Sequence, residues 1–141
     1  MAVDGSETSL HAAKYAIVLA KKDDAELIAL MVAPIPAVFE FPSLIERWTE
    51  RANAEAEVTF DKIKVSAANA SKTRGKQMKL RTEMVESPVS EEVTIVNYAD
   101  KENVDLIVVG TRGKSGLKKL LLGSVASGVV RYATKMVPVV K

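Results

Sequence analysis

Short apolar runs alternate along this chain with longer segments that have helical periodicity. Five such runs are predicted strands: Met1–Asp4, Glu26–Val32, Gln77–Glu83, Asp105–Gly110 and Met136–Val140. Strands that alternate with helices are joined by right-handed crossovers, which make the strands parallel and place helices on both faces of the sheet. The 141 residues therefore predict one α/β domain over residues 1–141, built on an open five-stranded parallel sheet.

Helix signals fill the intervals between these runs. The predicted helices are Thr8–Lys21, Ser43–Ala70, a segment that begins at Ser87-Pro88, and Ser124–Thr134. Ser6 or Thr8 can cap the first helix, and Ser43-Leu-Ile-Glu46 has the pattern of a capping box. An apolar stripe along the second helix is predicted to be core, including its tryptophan: Leu44, Trp48, Ala52, Ala56, Phe60 and Ile63. Pro138 cannot donate to a ladder, so the last strand is predicted at a sheet edge.

Composition excludes several classes of site. The chain has no cysteine and one histidine, His11, so zinc-thiolate sites, cysteine nucleophiles and histidine-rich metal sites are excluded. Hydrophobic residues make up 48% of the chain, which argues against intrinsic disorder. Leu120–Val130, the longest weakly polar stretch, is far shorter than the ~20 residues that span a bilayer. We therefore expect a cytoplasmic protein without a membrane segment.

Positive charge is concentrated near the C-terminus. Residues 106–141 contain seven Lys or Arg and no Asp or Glu, and four of the seven lie between Arg112 and Lys119. Such a field attracts anions, although a solvated basic loop would show the same pattern. No aromatic residue interleaves with these cations, so nucleic acid is an unlikely partner.

A glycine pattern follows the fourth predicted strand. Gly110-Thr-Arg-Gly113 is separated by nine residues from Gly123-Ser124, which opens a predicted helix. Glycine permits positive φ and leaves backbone N–H groups accessible, and a helix N-terminus favours phosphate. Ser124 can cap this helix or donate its hydroxyl to phosphate. The P-loop signature fails because Val108 stands where its first glycine is required, and the Rossmann glycine spacing is absent.

The pattern resembles the nucleotide-binding motif of the universal stress protein family. DLIVVGTRGKSGLKKLLLGSVASGVV, from Asp105, is similar to that family nearly residue for residue, and AVDGSE resembles its first strand and turn. The resemblance implies a Rossmann-like fold of the adenine nucleotide alpha hydrolase type with strand order 3-2-1-4-5. It further implies ATP, with Mg²⁺, in the crevice between strands 1 and 4.

The resemblance also implies a role for individual residues. The implied ligand-site residues are Ala2, Val3 and Asp4 at the nucleoside, Val32 near the adenine, Val109, Gly110, Arg112 and Gly113 around ribose and phosphates, and Gly123, Ser124 and Val125 at the phosphates. From the residues alone, Asp4 could instead be a turn or capping aspartate, and Val32 and Val109 could be core. Where many ATP-binding members have a hydroxyl two places after Ser124, this chain has Ala126, followed by Ser127.

The resemblance implies a stress-response regulatory protein that acts as a nucleotide sensor or switch. It also implies a homodimer in which the Met136–Val140 strands meet antiparallel. Two alternatives stay open: a slow ATP hydrolase, and a dimeric scaffold that binds no nucleotide. We expect little turnover, because no carboxylate occurs after Asp105 and Asp4 is the only nearby candidate base.

Overall fold

The computed structural model describes residues 1–35, 42–72, 77–113 and 122–141. Within these residues, helices and strands alternate in the order α1 (Glu7–Asp23), β1 (Leu27–Pro34), α2 (Pro42–Lys72), β2 (Leu80–Ser87), α3 (Glu91–Lys101), β3 (Val109–Gly110), α4 (Ser124–Tyr132) and β4 (Val139–Val140). No helix in these ranges combines the length and the apolar composition that crossing a membrane requires. Lys114, Lys118, Lys119 and Gly75 lie outside the described residues.

The strands pair in parallel. β1 and β2 pair along their whole length, and β3 pairs with β4. The N-terminal segment lies between the two pairs: the Val3 N–H donates to the Leu30 carbonyl at 2.9 Å, and the Ala2 N–H donates to the Val108 carbonyl at 2.9 Å. The predicted α/β fold with parallel strands is confirmed.

Two hydrophobic cores lie on opposite sides of this layer. α1 and α2 cover the first core, which includes Ile17, Phe60, Ile63 and Val108. α3 and α4 cover the second core, with Ile95, Val96, Ile107 and Val129. Successive residues of β1 alternate between them, Ala29 and Met31 in the first and Leu30 in the second. This alternation follows from strand geometry, in which neighbouring side chains point to opposite faces.

The inward face of α1 is built from small residues. Ala12, Ala13, Ala16 and Ala20 are all buried there, with Ile17 as the one large side chain of the set. Side chains this small let the helix axis lie close to the strands. The predicted cap is confirmed: the Ser9 N–H donates to the Ser6 Oγ at 3.2 Å.

Two element boundaries differ from the predictions. The third helix begins at Glu91 with Ser90 as its N-cap, so the predicted start at Ser87-Pro88 is wrong. Ser87 still belongs to β2, where its carbonyl accepts a hydrogen bond from the Ile35 N–H at 2.8 Å. That bond extends the strand past the predicted Gln77–Glu83, because pairing with β1 outweighs the local helix-start signal.

Three predicted strands are shorter than expected. Met1–Asp4 is present as one bridge, from Ala2 to Leu30. Of the Asp105–Gly110 and Met136–Val140 runs, only the last two residues of each form a strand, in which Val109 pairs with Val139 and Gly110 with Val140. A separate bridge joins Leu106 to Met136. Regular hydrogen bonds nevertheless continue along both runs, from the Ile107 N–H to Met136 O and from the Val109 N–H to Pro138 O.

A surface cluster centred on Arg81 connects β2 to α3. Arg81 Nη2 lies 2.6 Å from a Glu83 carboxylate oxygen, 2.8 Å from one of Glu102 and 3.2 Å from the Tyr98 hydroxyl. The hydrogen bond from Tyr98, then that from Arg81, lowers the pKa of Glu83 below its model-peptide value. Burial and the same Glu83 carboxylate raise the pKa of Tyr98 to about 12.

These shifts predict a pH-dependent contribution to stability. Because Glu83 has a lower pKa when folded, the cluster stabilises the protein fully above the ordinary pKa of 4.5 and progressively less as the pH falls below it. Tyr98→Phe should therefore lower the free energy of unfolding at pH 7, and the difference from wild type should shrink by pH 3. Urea denaturation at both values measures this, with Tyr132→Phe as the control. An unchanged difference at pH 3 would contradict the coupling.

Candidate functional site

One cavity of about 660 Å³ lies at the carboxyl ends of β1 and β3. All eleven residues that the sequence analysis assigns to a ligand site line it: Ala2, Val3, Asp4, Val32, Val109, Gly110, Arg112, Gly113, Gly123, Ser124 and Val125. The first three come from the N-terminal segment, Val32 lies in β1, and the others form β3, follow it or open α4. Ligands of open α/β sheets bind at this end of the strands, so the topology brings the predicted residues together. What they bind stays a prediction.

Asp4 is a turn aspartate that also lines the cavity. Its Oδ1 accepts hydrogen bonds from the Ser6 N–H at 3.0 Å and from the Ser6 hydroxyl at 2.6 Å. Gly5, between them, has φ of +81°, a conformation that glycine adopts without strain. Ser9 supports the same turn: its hydroxyl accepts from the Asp4 N–H at 3.3 Å and donates to the Ser6 carbonyl at 2.9 Å. The interpretation of Asp4 as a turn aspartate is therefore confirmed, and its contact with a ligand stays a prediction.

The loop after β3 packs directly on the start of α1. The Thr8 hydroxyl donates to the Arg112 carbonyl at 2.6 Å. A Cβ on Gly110 would lie 3.0 Å from the Thr8 carbonyl carbon and oxygen, and a Cβ on Gly113 would lie 2.6 Å from Asp4 Oδ2. At Gly110 a side chain would meet backbone, whereas at Gly113 it would displace the Asp4 carboxylate. Neither glycine has positive φ, and Gly5 is the glycine with positive φ in the described part of the chain.

The start of α4 faces the same cavity. Gly123 is its N-cap, with φ −61° and ψ 156°, and its N–H donates to the Thr111 carbonyl at 2.8 Å. Ser124 is the first helical residue and makes no capping hydrogen bond, so the capping role predicted for it is wrong. The other predicted role of its hydroxyl, donation to a ligand, stays a prediction. The first N–H groups of a helix have no intrahelical acceptor and favour an anion.

The hydroxyl that the family pattern has after Ser124 is not replaced by Ser127. Ala126 is buried and lines the cavity. Ser127 is exposed, and its Oγ lies 3.5 Å from the Leu122 carbonyl, outside the cavity lining. One hydroxyl of the family pattern is therefore missing from this end of the cavity.

The first half of α2 forms a wall that the sequence interpretation missed. Trp48, Arg51, Ala52 and Glu55 line the cavity. Their spacing of three, four and seven residues places them on one helical face, continuous with the buried Ala56 and Phe60. The prediction that the whole apolar stripe is core is therefore wrong for its first half, where Leu44 is also exposed. The sequence shows that these α2 residues share one face, but it does not show at which residue of that face the hydrophobic core ends.

Charged groups of both signs line the cavity. The cations among the described residues are Arg112 and Arg51, and the carboxylates are Asp4, Glu55 and Glu91. Arg51 Nε lies 3.7 Å from Glu55 Oε1 across one helical turn. Asp4 is thus not the only carboxylate near the site, contrary to the sequence interpretation. In the ranges that the structure describes, no three His, Asp or Glu side chains cluster as metal ligands would.

Comparison with known proteins finds one family. The family model described as "Universal stress protein family" matches residues 1–141. Universal stress protein MJ0531 of Methanocaldococcus jannaschii is 40% identical over 140 residues, covering 98% of this chain and 78% of that protein. Universal stress protein UspA from Lactobacillus plantarum has a solved structure with a TM-score of 0.82 at 28% identity, over 99% of this chain and 94% of that one.

A further solved structure, of a universal stress protein in complex with cAMP, has a TM-score of 0.64 at 25% identity. The match covers 99% of this chain and 91% of that protein. That protein thus holds an adenine nucleotide on a fold similar to this one.

The close contact at Gly110 gives a prediction about stability. At an unobstructed site with ordinary φ, Gly→Ala stabilises a protein by about 0.4–1 kcal/mol. Gly110→Ala should instead destabilise by about 1–3 kcal/mol, because its Cβ would meet the Thr8 backbone, which cannot rotate away. Urea denaturation measures the difference, and Ser127→Ala, at an exposed position of α4, should stay within about 0.5 kcal/mol. A Gly110→Ala variant as stable as wild type would contradict this packing.

Proposed function

The chain belongs to the universal stress protein family, and we propose that it binds ATP, with Mg²⁺, in the cavity at the carboxyl ends of β1 and β3. Binding would make it a nucleotide sensor or switch in a stress response. The observation that carries the proposal is that Asp4, Arg112 and the start of α4 share one cavity with the glycine pattern. Its volume of about 660 Å³ lies within the ~300–1,000 Å³ usual for ligand pockets.

Each part of a nucleotide has a matching group in the cavity. Val32 offers apolar surface to the adenine, and the Asp4 carboxylate can accept hydrogen bonds from ribose hydroxyls. Gly110 and Gly113 present backbone without side chains, while Arg112 and the first N–H groups of α4 would neutralise phosphate oxygens. Mg²⁺ would be held chiefly by phosphate oxygens and water, as it commonly is. The similar protein in complex with cAMP supports the adenine nucleotide class.

We extend the proposal to the sheet and to assembly. The hydrogen bonds from Ala2 and Val3 to the two strand pairs support a five-stranded order of 3-2-1-4-5. The Met136–Val140 segment would then be a sheet edge, and unpaired edges favour association with another strand. Met136 is 74% exposed, so apolar surface is available there for an antiparallel homodimer in the cytoplasm.

Slow ATP hydrolysis is the second candidate, and Glu55 and Glu91 favour it because they add carboxylates to the cavity wall. A hydrolase needs a base positioned at the attacking water. We propose that turnover stays well below the ~10 s⁻¹ typical of enzymes. Release of phosphate that Glu91→Gln or Glu55→Gln abolishes would favour the hydrolase instead. A scaffold without nucleotide is the third candidate, and the absence of binding would favour it.

The binding proposal predicts a loss of affinity in Arg112→Gln. A hydrogen bond to a charged group contributes about 1.5–3 kcal/mol, so this variant should bind Mg²⁺-ATP at least about tenfold more weakly than wild type. Arg131→Gln is the matched control, because Arg131 is exposed on α4 and contacts the Tyr132 ring rather than the cavity. Isothermal titration calorimetry measures both. Wild-type protein that binds no adenine nucleotide, or a folded Arg112→Gln variant with unchanged affinity, would overturn the proposal.

The dimer proposal predicts that Met136→Glu shifts the protein toward monomer, because it places a charge without a partner in the interface. Met136 suits the test better than Val139, which also packs against the second core. Val65→Glu, at an exposed position on α2, is the control. Sedimentation velocity measures the oligomeric state. A wild-type protein that is monomeric at high concentration would refute the interface.

A further inference from the structure

A second cavity, of about 550 Å³, lies at the amino end of β2, away from the cavity at the carboxyl ends of β1 and β3. Its lining comes from the last turns of α2 and from the residues around the start of β2. β1 pairs with β2 on one side and bridges to Ala2 on the other, so no described strand pairs with the second side of β2. The cavity thus borders a free strand edge, and we call this surface, formed by residues 64–72 and 77–82, the edge groove.

The pairing with β1 shows which backbone groups of β2 lie on the free side. The Leu27 N–H donates to the Lys79 carbonyl at 2.8 Å. Because the backbone groups of successive strand residues point to alternate sides within the sheet, the odd-numbered residues of 79–87 bond to β1. The N–H and C=O groups of Leu80 and Thr82 therefore point away from β1, and both residues line the edge groove.

The free edge of β2 lacks the features that usually prevent association. Proteins protect such edges with proline, lysine, bulges or very short strands. β2 is eight residues long and pairs with β1 without a bulge. Its outward backbone groups belong to Leu80, Thr82, Met84 and Glu86, none of which is proline or lysine, and all four residues are partly or fully exposed. An edge of this length favours pairing with a further strand.

The side chains of the edge groove favour an acidic segment. Ala67 and Leu80 belong to the first core and give the groove an apolar floor. Its charged residues are Lys64 and Lys72, and no Asp or Glu is among the described residues that line it. Lys64 Nζ lies 3.3 Å from Asp61 Oδ1, but both side chains are exposed, and such a pair stabilises little. The groove therefore offers two positive groups beside an apolar floor.

We propose that the edge groove binds an extended acidic segment of another protein, which adds to β2 as a further strand. Backbone hydrogen bonds to Leu80 and Thr82 would hold the segment, and its alternate side chains would enter the groove. Acidic side chains there would pair with Lys64 and Lys72, and an apolar one between them would cover the floor. A second copy of this chain is a poorer occupant, because two edge grooves that met would bring their lysines together. This site does not depend on the nucleotide proposal.

Amide hydrogen exchange, measured by NMR at each residue, tests whether the edge is free. In the unliganded protein, the Leu80 and Thr82 amide protons should exchange at least about tenfold faster than those of Arg81 and Glu83, which donate to β1. Equally slow exchange at all four would show that the edge is already covered, which would overturn the proposal. Protection of Leu80 and Thr82 that rises with protein concentration would make a second copy the occupant and would also overturn it.

Two synthetic peptides test the partner's chemistry: acetyl-Thr-Glu-Thr-Val-Thr-Glu-Thr-amide, and the same peptide with lysine in place of glutamate. In NMR titrations, wild type should bind the acidic peptide about tenfold more tightly, and high salt should reduce the difference. Lys72→Glu should abolish this preference, whereas Lys14→Glu, at an exposed position of α1, should keep it. Absence of acidic-peptide binding, or equal binding of both peptides by wild type, would overturn the proposal.

Thr82→Pro tests whether the backbone takes part. Proline removes the outward N–H of residue 82 and leaves the hydrogen bonds to β1, because strands accept proline where the N–H faces away from the ladder. This variant should bind the acidic peptide at least about tenfold more weakly, and Thr82→Val, which keeps the N–H, should stay within about twofold of wild type. Circular dichroism checks folding. A folded Thr82→Pro variant with unchanged affinity would refute strand addition, and if it does not fold, Lys72→Glu and the exchange rates decide.

Discussion

The backbone of the N-terminal segment connects the two halves of the molecule. Ala2 donates to Val108 on one side and Val3 donates to Leu30 on the other, so the β1–β2 pair and the β3–β4 pair are held in one layer. Burial of Val3 in the first core secures the segment against that layer. The turn at Asp4 follows immediately, so these hydrogen bonds fix its position. That turn fixes the position of the start of α1 and of the loop after β3, which contribute residues to the cavity wall.

The turn and the loop after β3 fit together through backbone contacts. The Thr8 hydroxyl holds the Arg112 carbonyl, and Gly113 leaves room for the Asp4 carboxylate. Ser6 orients the Asp4 carboxylate through two hydrogen bonds. A site whose groups are already oriented avoids the entropy cost of ordering them on binding. Hydrogen bonds within the turn and between the turn and the loop therefore fix the positions of Asp4 and Arg112 in the cavity wall.

Patterns with a local physical cause were predictable from the sequence. The Ser6 cap, the periodicity of α1 and α2 and the parallel α/β class follow from spacing, whereas the set of eleven site residues came from the resemblance to the universal stress protein family. Features set by distant contacts were not. The end of β2 depends on pairing with β1, which carries the strand through Ser87. The reason for Gly110 is the nearness of Thr8. The presence of Trp48 in the cavity wall depends on where the first core ends along α2, which no spacing within that helix reveals.

The alanine face of α1 has a consequence for how the protein tolerates change. Four buried methyl groups set the spacing between this helix and the strands, and that spacing is what brings Thr8 against Gly110. A larger side chain at Ala12 or Ala16, neither of which lines the cavity, would push the helix away from the strands. The helix would tilt or move away from the strands, and its contact with the loop after β3 would change the shape of that loop. The distance between α1 and the strands thus controls the shape of the cavity, and that distance is set by alanines that do not line it.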